Sequence, residues 1–143
     1  MGILDIFRRK HVETPVKRVD VGALGEVVWS DDDESWVGRH GDVKFYLGFD
    51  PSFPVPTQEL VAYAESIFAS AWLFSTVERE KQRYAEKYPK CASEISTLGI
   101  QNLYIFFRKG ARHINCQLGY GSPDRFWSLD FQDDKFTGMG FDT

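Results

Sequence analysis

The side chains that could do chemistry here are few, and their spacing argues against it. Metal ligation would have to come from His11, His40, His113, Cys91 and Cys116. Zinc sites draw their ligands from short Cys-x-x-Cys or His-x-x-x-His pairs, and the sequence holds neither. The nearest two candidates, His113 and Cys116, stand three apart on an expected strand, where an odd offset sends them to opposite faces. Cys116 falls in the apolar phase of that strand, so it reads as a buried, inert thiol. No Gly-x-Ser-x-Gly elbow is present. Ser122 follows Gly119-Tyr120-Gly121, but that loop joins two expected strands and lacks the lysine and following helix of a phosphate-binding loop. The run Asp31-Asp32-Asp33-Glu34 is not a calcium loop, because Trp36 stands where the sixth-position glycine belongs. Glu59, Glu65, Asp130 and Asp142 could pair only if the fold brings them together, and acid–base work requires that geometry first. No metal, cofactor or catalytic group is expected.

What remains is surface. Asp31, Asp32, Asp33 and Glu34 make a solvated acidic turn suited to a basic protein partner. Trp36 beside it is a candidate anchor. Tyr46, Tyr104 and Phe106 lie out of phase with the most apolar positions of their strands, and His113 joins them. If helices cover the other face, these residues form an aromatic contact patch.

Composition sets the same bounds. The chain has 143 residues, a formal charge of -4 and 15% aromatic residues. That length suits one domain, and aromatic side chains burying roughly 150–250 Å² each supply its core. An acidic balance argues against a broad nucleic-acid surface. Residues 1–20 carry five basic and three acidic side chains, whereas residues 29–60 carry two basic and seven acidic. Two cysteines are too few for a disulfide framework and point to a reducing compartment, with the cytoplasm as the default. Ile3, Leu4, Ile6 and Phe7 precede a basic cluster, an order opposite to a secretory signal. Contact of residues 1–10 with an anionic membrane is the weaker reading of this segment.

The elements that would position these residues follow from periodicity. Residues 1–22 read as a basic arm, and 23–143 as one domain. Alternation predicts strands over 24–29 and 43–49, with a short one near 35–38. Pro51, Pro54 and Pro56 end the last of these. Leu60, Ala64, Ile67, Phe68, Ala71 and Phe74 recur at helical spacing after an N-cap at Thr57. An unbroken helix from 57 to 88 would be about 48 Å long, so a break is expected near 74–76, where Ser75 and Glu78 form a capping-box signature. After Gly99, alternation predicts four strands in a meander. The class is therefore α+β: an antiparallel sheet of five to six strands in the order β-β-α-α-β-β-β-β, with the helices on one face.

The pattern Leu24-Gly25-x-x-x-Trp29, then Trp36-x-Gly38, then Val43-x-Phe45-x-Leu47 resembles small bacterial α+β domains encoded beside polymorphic-toxin genes, which are regarded as candidate immunity proteins. The resemblance spans residues 24–75. It implies an immunity-like role and carries over no catalytic residue, while the missing catalytic motif, the acidic turn at 31–34 and the aromatic face point to a non-catalytic intracellular protein-binding domain. The alternatives are a small ligand-binding domain or enzyme with its site between sheet and helix near Ser75, or a homodimer formed through the open sheet face.

Overall fold

One sheet of eight strands organises the computed structural model, which describes residues 17–48, 56–119 and 125–142. The strands are β1 (Arg18–Asp20), β2 (Glu26–Ser30), β3 (Ser35–His40), β4 (Val43–Gly48), β5 (Gly99–Arg108), β6 (Ala111–Gly119), β7 (Phe126–Gln132) and β8 (Lys135–Asp142). They lie side by side in chain order. Helices α1 (Gln58–Ala69), α2 (Trp72–Lys87) and α3 (Ala92–Ser96) stand between β4 and β5. The α+β class and the helices set between two groups of strands are as the periodicity predicts. The apolar segment within residues 1–10, Pro51 and Pro54, and the loop at 121–124 lie outside the described residues.

Three features correct the sequence reading. The sheet has eight strands rather than five or six, because residues 18–20, read as part of an arm, pair with β2, and the short stretch near Trp36 is a full six-residue strand. The sheet is not wholly antiparallel: β4 and β5 run parallel. Parallel neighbours need a long crossover, and the helical segment between them supplies it. The helix break falls at Ser70–Ala71 rather than 74–76, with α1 and α2 meeting at a 64° bend. Ser70 leaves the helical conformation (φ -113°, ψ 158°), and its hydroxyl donates to the Ser66 carbonyl at 2.8 Å, offering the backbone a local alternative to another turn. Ser75 sits inside α2, its N–H bonded to the Ala71 carbonyl. The bend changes the buried phase, so Leu73 and Val77 enter the core while Ala71 is exposed.

Strand parity divides the sheet. Phe45, Leu47, Leu103, Ile105, Ile114, Cys116 and Leu129 point to the helix side, where they pack with Leu60, Ala64, Ile67, Leu73 and Val77 in one buried cluster. The core is tied by a few polar links. Tyr63 on α1 donates its hydroxyl to Asp134, and Arg112 pairs with the same carboxylate at 3.2 Å. Asp133 and Asp134 make the two-residue β7–β8 turn with φ of 49° and 67°. Left-handed conformation at both positions matches the twist of the flanking strands, and these contacts hold two non-glycine residues there. Buried Lys81 donates to the Leu98 carbonyl and to Glu78, fastening α2 to the segment that leads into β5.

Candidate functional site

The face opposite the helices is built by register. Val28, Val37, Tyr46, Tyr104, Asn115 and Asp130 form one row across six strands. Toward the β2–β3 turn the next row runs Ser35, Gly48, Phe106, His113 and Gln132. On the other side it runs Arg39, Lys44, Asn102, Gln117 and Ser128. No described helix packs here, because the buried helix residues belong to the core of the opposite side.

Tyr46 and Tyr104 are cross-strand partners, stacked with centroids 4.2 Å apart and planes within 6°. Lys44 lies over the Tyr46 ring at 5.2 Å. Phe106 and His113 stack at 5.0 Å. Amides complete the surface, with Asn102 donating to Gln117 at 3.3 Å and Asn115 to Asp130 at 2.7 Å. The face therefore consists of aromatic planes and ordered amides, which bury area at low entropic cost and form adaptable hydrogen bonds.

The acidic turn borders this face. All four residues of 31–34 are exposed. Asp31 accepts from Trp29 Nε1 at 2.7 Å, and Asp33 accepts from the Ser30 hydroxyl at 2.8 Å. Asp32 and Glu34 form no ion pair or side-chain hydrogen bond to described residues. Glu34 adopts φ 50° to close the turn. Two carboxylates are thus spent on the turn and two face solvent.

Trp36 is corrected. It is 0% exposed and lies in the core, in T-shaped contact with Trp29 at 5.5 Å. Trp36 shares the parity of Gly38, over which the Phe45 ring sits, so it cannot anchor a partner. Tyr46 is also largely covered, at 6% exposure. It backs Tyr104, which is more accessible. His113 and Cys116 point to opposite faces, as an odd strand offset requires. Among the described residues no group of three His, Cys, Asp or Glu could hold a metal ion. Asp130 is on the open face, whereas Glu59 and Glu65 belong to α1 on the other side of the sheet, so the helix carboxylates do not converge with it. The space between sheet and helices is filled by the core cluster.

Sequence reasoning missed Arg39 as part of the face. Arg39 and Lys44 separate two depressions, one of about 670 Å³ that reaches Tyr46 and Asn102, the other of about 480 Å³ that reaches Val28, Val37 and Asp33. The two-residue phase of Val37 and Arg39 was the available signal.

The Tyr104 phenol is pushed up to about 12, first by burial, then by the charge and hydrogen bond of Tyr46, with Asp33 adding to it. Burial, reinforced by the bond to Asp134, also raises Tyr63. Folded-state values above the free phenol favour the folded state in full below about pH 10, and that contribution is lost as pH rises through the folded value. The urea midpoint is therefore expected to hold from about pH 7 to 9 and to fall between about pH 10 and 12. Tyr104→Phe should make that fall shallower without abolishing it, because Tyr63 and the buried Cys116 thiol are raised as well, and an unchanged profile would contradict the assignment.

No single described helix is long and apolar enough to cross a membrane. No known protein family, no curated protein and no solved structure matches the chain.

Proposed function

We propose that this domain is a non-catalytic, immunity-like protein-binding module that docks a protein partner on the sheet face opposite the helices. The observation that carries the reading is the juxtaposition of Tyr104, His113 and the amide pairs with an acidic turn that keeps Asp32 and Glu34 free for solvent. Aromatic planes supply contact area. The carboxylates steer a basic partner, such as a toxin nuclease, toward the face and raise its association rate. The proposed setting is the bacterial cytoplasm.

A photo-crosslinking residue at Gln117, on this face, is expected to yield a discrete protein adduct in the native cell. The same residue at Gln82, exposed on α2, should yield none. Raising the salt before irradiation should slow formation of the Gln117 adduct. Absence of any adduct at Gln117, or equal adducts at both positions, would refute the reading.

A further inference from the structure

The two edges of the sheet are unlike. β1 spans three residues, and its two terminal side chains, Arg18 and Asp20, are exposed charges. Short, charged strands are how proteins protect an edge from pairing. β8 spans eight residues, Lys135–Asp142, with no proline and no charge between its ends, and it pairs only with β7 among the described residues. Its outer backbone groups offer a ready ladder.

Among the described residues, the large apolar side chains that stand exposed gather at that same edge. Phe126 is 71% exposed, Tyr88 43% and Phe141 39%. Phe141 belongs to β8, and Phe126 is the cross-strand partner of Asp142. Tyr88 joins Tyr84, Phe136 and Met139 around a depression of about 310 Å³ between α2 and β8. Phe126 lies on the open side of the sheet and Phe141 on the helix side, so apolar surface flanks the edge above and below.

We propose that β8 pairs antiparallel with β8 of a second copy, giving one continuous sheet through both. The charges on the strand select this occupant and this direction. Its single cation, Lys135, begins the strand and its single anion, Asp142, ends it. Antiparallel pairing brings each end to its opposite, while parallel pairing would set like against like. A twofold contact also closes the assembly, because only the short, charged β1 edges are left outside. This inference is independent of the open-face reading.

Sedimentation velocity of the full chain tests it. At concentrations up to about 100 µM, where an interface above about 1,000 Å² should be populated, the chain is expected to sediment at twice its 16.4 kDa. Gly140→Lys and Gly140→Asp are the diagnostic variants. A side chain there meets nothing within 4 Å, so both should keep the melting temperature of the parent. Each alone sets like charges near the twofold axis and should weaken the dimer at least about tenfold. An equimolar mixture should recover it. A wild-type monomer throughout that range, including one whose edge serves another protein's strand, would overturn the proposal. So would charged variants that dimerise as the parent does.

Discussion

Replacing Trp36 by alanine is expected to cost about 3–5 kcal/mol of folding stability. Trp36 is 0% exposed, packs edge-on against Trp29 at 5.5 Å, and stands on β3 within the buried core cluster that includes Phe45, Leu47 and Ile67. Removing the indole leaves a cavity that the surrounding sheet backbone cannot close. Domains of this kind have about 5–15 kcal/mol in hand, so the variant should have a much lower urea midpoint or fail to fold. Gly38→Ala should act in the same direction through the opposite defect. An added Cβ would meet the Phe45 ring at 2.5 Å, and overpacking of this sort costs about 1–3 kcal/mol. Equilibrium denaturation of both variants measures this. A Trp36→Ala protein as stable as its parent would return that residue to the surface.

Tyr104→Ala is expected to behave in the contrary way. Its ring stacks on Tyr46 at 4.2 Å, outside the helix-side core, and such a pair contributes about 0.5–1.5 kcal/mol. The fold should survive its loss. Binding should not. An aromatic at the middle of the proposed docking face, backed by a second rigid ring and flanked by ordered amides, has the environment of an interface hot spot. Truncating one costs about 2 kcal/mol or more, roughly 30-fold in affinity. Gln117→Ala, at the next row, should cost less, because amide contacts away from an aromatic anchor are energetically minor.

Period-two alternation made much of the fold legible. In β5, Leu103 and Ile105 separate from Tyr104 and Phe106 as the alternation requires, and β6 and β7 continue it. Leu60, Ala64 and Ile67 identify the buried stripe of α1 in the same way. What stayed hidden depended on long-range pairing or on short elements. Nothing local to β4 or β5 encodes their parallel alignment, which is set by the path of the helices between them. Trp36 misled because a charged turn adjoins it, although its phase with Gly38 placed both toward the core. The bend at Ser70 shifted the buried positions of α2, so a stripe extrapolated from α1 picked Ala71 and missed Leu73. At the face itself, Tyr104 and His113 were readable from parity. Arg39 shares the phase of Val37 but was missed, because the expected strand stopped at Gly38 whereas β3 runs on to His40.

The claim on which the rest depends is that one side of the sheet maintains the fold while the other is held in reserve for a protein. Affinity for the crosslinked partner and unfolding free energy, both measured on Tyr104→Ala, test it most directly. The account predicts affinity reduced at least about 30-fold with stability within about 1.5 kcal/mol of the parent. Undiminished affinity in a fully folded Tyr104→Ala protein would contradict it.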